Sequence, residues 1–296
     1  MNLLTFKKTA RRFLSKKAVT TVLFISLLNI YAQPHPNTTG PTQKISQEDI
    51  VDLMYSGHHL SFGVYLTLCE RAMISKATGN YNMSSSPQLG YEFRFTYYYN
   101  INPQWNLISG LYAGVCGRNY LLTIPKKDID SSLNEDYVDN GAATREKDIF
   151  YISIPIGIQK RWWNDKLNGC WFADLGAGVN WSLSFEQDML TEELYIPGQG
   201  LVRILSMSTT LNNNSKPWLT LNSGIGHQWV LSNKNILSVN LNLFLSFSKV
   251  ARGSYQITVP GQPLTEGEYS VSTTHIGLGV NYIFTGTKKK FKKLVK

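Results

Sequence analysis

From His59 onward the chain alternates, residue by residue, between bulky apolar side chains and small or polar ones. A period of two sends successive side chains to opposite faces of an extended backbone, whereas a helical stripe repeats about every 3.6 residues. The first such segment sets Leu60, Phe62, Val64, Leu66 and Leu68 against Ser61, Gly63, Tyr65 and Thr67. The second sets Leu89, Tyr91, Phe93, Phe95, Tyr97 and Tyr99 against Gly90, Glu92, Arg94, Thr96 and Tyr98. Six more follow, over Trp105–Val115, Tyr151–Gln159, Trp171–Phe185, Leu219–Trp229, Leu237–Phe247 and His275–Phe284. In the seventh, for example, Leu237, Val239, Leu241, Leu243 and Leu245 oppose Ser238, Asn240 and Asn242.

Each segment is about ten residues or a little more, the length a tilted strand needs to cross a bilayer. Short turns at Asn100–Gln104, Trp162–Gly169 and Leu231–Asn235 join alternate pairs. The other connections are excursions of roughly 20 to 33 residues, long for a compact soluble domain. The pattern predicts an all-β fold: an eight-stranded antiparallel up-and-down transmembrane β-barrel over residues 58–284, with long loops at one end and short turns and both termini at the other. Lipid supplies no hydrogen bonds, so no strand edge can stay open and the eighth strand must pair with the first.

A soluble, lipocalin-like ligand-binding barrel is the competing architecture, with the apolar face turned inward. Trp171, Trp181, Phe185 and the aromatics of the second segment are too bulky to share an eight-stranded interior. The opposite face, rich in Gly, Ser and Asn, suits a narrow, filled, polar lumen. Aromatics also gather near segment ends (Trp105, Trp162, Trp163, Trp171, Trp229, Tyr282, Phe284), as interfacial girdles require.

The two ends explain the charge. Of 29 Lys+Arg, six lie in residues 1–32 and six in residues 285–296, and neither stretch holds an Asp or Glu. The remainder carries 17 basic against 20 acidic groups, so the formal charge of +9 is no argument for nucleic acid. Residues 1–32 read as a signal peptide: Lys7, Lys8, Arg11, Arg12, Lys16 and Lys17, then the apolar run Ala18–Ile30, then Tyr31-Ala32-Gln33. The alternative is an N-terminal membrane anchor, for which an apolar run of about 13 residues is short. Residues 33–57 are expected to be a periplasmic N-terminal segment. Ser46 and Asp49 give a helix-start signal, with Ile45 and Ile50 at the staple positions; an unstructured tail is the alternative. Residues 285–296 form a basic periplasmic tail that either contacts anionic lipid or peptidoglycan or stays disordered. Cys69, Cys116 and Cys170 are odd in number and widely spaced, and are expected to be three buried small apolar side chains.

Among candidates for chemistry, Glu92, Arg94 and Asp174 point inward. They either gate a narrow, ion-selective conduit or fill the lumen as a buried ion-pair cluster, and the narrow bore favours the second. An enzyme acting on lipid needs a His and a Ser in contact on the lipid face. His227 and Ser223 lie four residues apart on one strand, about 13 Å, so a non-enzymatic protein is expected. The loop Lys126–Lys147 carries Asp128, Asp130, Glu135, Asp136 and Asp139. It lacks the glycine and terminal glutamate of a calcium loop and reads as solvated and acidic. Two loops share a feature, Tyr195-Ile-Pro-Gly-Gln-Gly-Leu201 and Thr258-Val-Pro-Gly-Gln-Pro-Leu264. Pro197-Gly198 and Pro260-Gly261 suit type II turns at the tips of hairpins rising from the membrane, where a partner would bind; plain strand extension is the alternative.

The stretch Tyr151-Ile-Ser-Ile-Pro-Ile-Gly-Ile158 resembles the Tyr-Leu-x-Ile-Pro-Leu strand of porin-family, PorT-like outer-membrane β-barrels of the eight-stranded, OmpX/OmpA-like kind. Asp174-Leu-Gly-Ala-Gly-Val179 and His275–Phe284 are similar too, and the resemblance covers His59–Phe284. These are fold signatures and specify no activity. Related barrels often end near a terminal aromatic read by the insertion machinery, whereas here a basic tail follows Phe284. The expected protein sits in the outer membrane of a Gram-negative bacterium, with a surface-exposed structural or recognition role through its long loops. The resemblance implies the alternative of an accessory subunit in a secretion or transport assembly. Expected partners are outer-membrane lipid and lipopolysaccharide, the insertion machinery, and a protein at the surface or in a secretion complex. No cofactor is expected.

Overall fold

The computed structural model describes residues 57–285, apart from 118, 130–134, 140–147, 165–168, 183–186, 197, 212–215 and 232. The expected signal peptide, the helix near Ser46 and the basic tail after Thr285 lie outside the described residues. In chain order the strands are β1 (His58–Cys69), β2 (Met73–Thr78), β3 (Met83–Ser84), β4 (Gln88–Asn102), β5 (Trp105–Cys116), β6 (Leu121–Ile124), β7 (Tyr137–Asp139) and β8 (Ile149–Asn164). There follow β9 (Gly169–Ser182), β10 (Gln187–Ile196), β11 (Gly200–Leu211), β12 (Trp218–Val230), β13 (Ile236–Ser246), β14 (Ala251–Ile257), β15 (Thr265–Val271) and β16 (His275–Thr285). One helical turn, α1 (Lys126–Ile129), lies between β6 and β7.

Eight of these strands close into an antiparallel barrel in the order β1-β16-β13-β12-β9-β8-β5-β4. They are the eight alternating segments, each paired with its neighbours in the chain. The seam is shut by β1 against β16, in register from His59↔Thr285 to Cys69↔His275. Burial follows the alternation: along β1 every second residue is exposed, from Leu60 to Leu68, and the residues between are buried. The apolar face is therefore the outer one, which excludes a lipocalin-like interior. Ile156 on β8 is 70% exposed while its neighbour Pro155 is buried.

The strands run longer than the pattern foretold at the short-turn end. β8 continues to Asn164, so Trp162 and Trp163 stand in the strand rather than in a turn. Between β4 and β5 the Asn102 side chain accepts the backbone N–H groups of Gln104 and Trp105, both at 2.9 Å, which locks a tight reversal. The turn between β12 and β13 needs a left-handed residue, Lys234 at φ 68°, with its N–H donating to Leu231 O at 2.9 Å.

Pro155 falls in the middle of β8. Its missing N–H leaves a break in the β5–β8 ladder, where the register passes from Ser109↔Ile156 to Tyr112↔Ser153. Ser109 Oγ donates to Pro155 O at 3.0 Å and satisfies the carbonyl there.

The long connections do not simply prolong the barrel strands. They build a distal layer of two further sheets, one ordered β10-β11-β14-β15-β2 and one ordered β3-β6-β7. Strands from loops that are adjacent around the barrel pair with one another. The layer buries its own apolar core, including Tyr81, Leu122, Ile124, Ile204, Leu205 and Ile257. That core runs on into the barrel mouth through Ile149, Tyr151 and Trp218.

Candidate functional site

Glu92 and Arg94 stand two residues apart on β4 and so share the inward face. They form a buried ion pair, at 0% and 4% exposure. The Tyr151 hydroxyl donates to the other carboxylate oxygen of Glu92 at 2.7 Å, and His275 Nε2 lies 3.9 Å from it. The guanidinium of Arg94 is roofed by rings. Its Cζ is 3.6 Å from the Tyr65 centroid, 4.7 Å from that of Tyr112 and 5.0 Å from that of Phe244. The His275 ring stacks on Phe244 with centroids 4.7 Å apart. Space for Tyr65 comes from Gly279 directly opposite on β16, where any Cβ would strike the ring. Asn281 Nδ2 holds the Tyr65 hydroxyl at 2.6 Å. Charge, rings and hydrogen bonds together fill the lumen at this level.

Asp174 departs from expectation. It points inward from β9 but joins neither Glu92 nor Arg94 in an ion pair, and its carboxylate makes no hydrogen bond among the described residues. It packs over Gly224, its register partner on β12, beside the Asn242 amide. All three charges face the lumen: Glu92 and Arg94 form the ion pair, and Asp174 stands outside ion-pair distance of Arg94 but within reach of its charge. The reason is register: Asp174 lies opposite Gln159 and Gly224, on the far wall from β4.

Several groups that close the lumen were not singled out from the sequence. Nearer the short-turn end Arg161 Nη2 donates to Asn100 Oδ1 at 3.0 Å and also to Asn106 Oδ1, while Asn106 Nδ2 donates to Gln159 Oε1 at 3.0 Å. An apolar cluster of Tyr98, Cys170, Ile236 and Ile283 packs at the same end. Arg161 and Phe244 could have been found by parity alone, as a charge and a ring on the face otherwise given to Ser, Asn and Gly.

The cysteines correct a second expectation. Cys69 and Cys116 form a disulfide, and Cys170 alone stays a free, buried thiol. Both bridged residues face inward on the strands that flank β4, and their Cα atoms are only 5.8 Å apart. Two strand spacings would be about 9.6 Å, so the wall curls sharply there. Gly90 on β4 makes this possible, because a Cβ at that position would collide with β5 backbone and approach Cys69 Sγ. The sequence separation of 47 residues concealed the pairing.

In the distal layer both turns carry the closing hydrogen bond and the positive-φ glycine that a type II turn requires. Gln199 N–H donates to Ile196 O at 3.0 Å with Gly198 at φ 80°, and Gln262 N–H donates to Val259 O at 3.0 Å with Gly261 at φ 76°. Pro197 lies outside the described residues; Pro260 occupies the turn beside Gly261. At the β10–β11 tip Tyr195 and Leu201 face each other across the hairpin at 66% and 69% exposure, while Ile196 is buried.

The acidic loop is more engaged than a solvated loop. Asp136 Oδ1 accepts the Lys126 N–H at 3.0 Å, and Tyr120 donates its hydroxyl to Asp139 at 3.1 Å. Burial, then the Asp139 and Glu192 carboxylates, push the Tyr120 phenol well up. Burial and the neighbouring Asp128 carboxylate push Tyr81 up to about 12. Asp130 lies outside the described residues, and no three His, Cys, Asp or Glu side chains gather as a metal site among the described ones.

His227 and Ser223 both sit on the outer face of β12. The His227 ring is wedged between Trp171 and Trp229, with centroids 4.8 and 4.4 Å away.

No protein-family model and no curated protein sequence matches the chain. Among solved structures, the outer membrane protein OprG from Pseudomonas aeruginosa is 12% identical, over 78% of this chain and 98% of that one, at a TM-score of 0.39. Neisserial surface protein A is 11% identical over 76% and 96%, at 0.35. Ail, the attachment invasion locus protein of Yersinia pestis, is 14% identical over 77% and 99%, at 0.28. These likenesses are distant, and the barrel rests on its own hydrogen-bonded strand order rather than on them.

Proposed function

We propose that the chain is a non-enzymatic outer-membrane β-barrel protein with a structural or recognition role at the cell surface. The band of outward Leu, Ile, Phe and Val side chains, over a wall with no open edge, is what a bilayer demands of a barrel. The observation that carries the functional reading is the combination of a filled lumen with a folded distal layer. Tyr65, Arg94, Tyr112 and Phe244 occupy the bore, so the barrel serves as a mount rather than a pipe. The loops bury apolar residues in a core of their own, which anchors the β10–β11 hairpin through Leu190, Ile204, Leu205 and Met207 and leaves Tyr195 and Leu201 exposed at its tip. A preorganised surface with exposed aromatic and aliphatic groups is suited to binding a protein or glycan.

Two measurements test this. Refolded protein in a planar bilayer is expected to show no steady ionic conductance; a stable open channel overturns the reading. Cells carrying Tyr195→Ser with Leu201→Ser are expected to lose surface binding while keeping barrel assembly. Unchanged surface binding together with lost export of other proteins would instead favour an accessory role in a secretion assembly.

A further inference from the structure

Of the charged residues on the eight barrel strands, Glu92, Arg94, Arg161 and Asp174 point into the lumen, and one, Lys160, points out. Among the described residues no other Asp, Glu, Lys or Arg stands on the outer face. A lysine on a lipid-facing wall is costly near the bilayer midplane and nearly free at the interface. Lys160 is four residues from the end of β8 at the short-turn end, where Tyr99 of β4, Trp171 of β9, Trp229 of β12 and Tyr282 and Phe284 of β16 also stand on the outer face. Its Nζ lies 5.2 Å from the Trp105 ring centroid and 5.4 Å from that of Trp162. Trp105 is its direct register partner on β5, and on β9 it lies across from the small Ala173. Among the described residues no carboxylate pairs with it.

The two indole faces restrain the ammonium without neutralising it, and tryptophan rings seek the headgroup level of a membrane. An ammonium held there, beside the small Ala173 and with no carboxylate partner among the described residues, meets the phosphates of the lipid leaflet. We propose that Lys160, with Trp105 and Trp162, forms a binding site for the phosphate of an anionic phospholipid in the leaflet at the short-turn end. The site rests on the membrane reading above.

Native mass spectrometry of the refolded full chain, released from detergent with phosphatidylglycerol added, reads the site directly. The wild type is expected to retain one phosphatidylglycerol about fivefold more tightly than Lys160→Met, the effect of one basic group near an anionic surface. Lys160→Arg is expected to restore retention. Lys234→Asn, which removes a charge at the same end but from the turn between β12 and β13, is expected to leave it unchanged. Equal retention by Lys160→Met and wild type, or an equal loss in Lys234→Asn, overturns the proposal. Heat-modifiable gel mobility separates the two readings. A folded, vesicle-inserted Lys160→Met with undiminished lipid retention sinks the headgroup site alone, whereas a wild type that never enters vesicles sinks the membrane reading and the site with it.

Discussion

Arg94 and Glu92 are neighbours by local geometry, two apart on one strand, so their pairing needed only the right parity. Their surroundings came from elsewhere: Tyr65 from β1, Tyr112 from β5, Tyr151 from β8, Phe244 from β13 and His275 from β16. A pair so enclosed is expected to be strongly coupled. Arg94→Met strands the Glu92 carboxylate without its counter-charge, and a loss of about 3–5 kcal/mol is expected. Arg94→Met combined with Glu92→Gln is expected to recover most of it. Urea unfolding midpoints of the refolded variants in vesicles measure both, and a double variant as unstable as the single one would refute the coupling. Asp174 shows the limit of parity at this scale. The alternation placed its side chain in the lumen, but only register decided that it would rest over Gly224 rather than reach Arg94.

Among elements, β4 is the most constrained. It pairs with β1 and β5 along its length, and the Cys69–Cys116 bridge passes over its Gly90. A bridge closing a stretch of 47 residues removes unfolded-chain freedom worth about 4 kcal/mol on a chain-entropy account. Adding a thiol reductant is therefore expected to lower the temperature at which the folded gel band converts to the unfolded one. Identical conversion temperatures with and without reductant would show that the bridge contributes nothing. The bridge also calls for an oxidising compartment, in keeping with the proposed place at the cell surface. The β8 strand is the opposite case. Its Pro155, part of the stretch that carries the resemblance to PorT-like barrels, interrupts the ladder to β5. In the distal layer β10 and β11 were legible as a hairpin from Pro197-Gly198 and the flanking β-branched runs. Their partners were not, since β14, β15 and β2 come from two other loops.

For the whole molecule, everything turns on which face of the alternation meets lipid. Leu241 is 48% exposed on the outer face of β13 and its neighbour Asn242 is buried in the lumen. A spin label at Leu241 is expected to be accessible to oxygen dissolved in the bilayer. One at Asn242 is expected to be shielded from it. Reversal of the two would overturn the orientation and with it the membrane reading. The molecule has two apolar regions of different kinds. One is spread exposed over the outer wall, and the other is concentrated in the distal core behind the loops.

The alternation determined the eight strands, their inward and outward faces and the up-and-down order, because parity is a property of the backbone and the preference of each side chain for lipid or lumen is local. The Pro-Gly tips were determined in the same way, by the φ that glycine alone adopts readily. Tertiary structure alone decided the Cys69–Cys116 bridge, the seat of Asp174 over Gly224, the ring of aromatics around Arg94 and the joining of four loops into a second β-layer. Each of these depends on which residue lies across from which, and that stagger is set only when the barrel closes on itself.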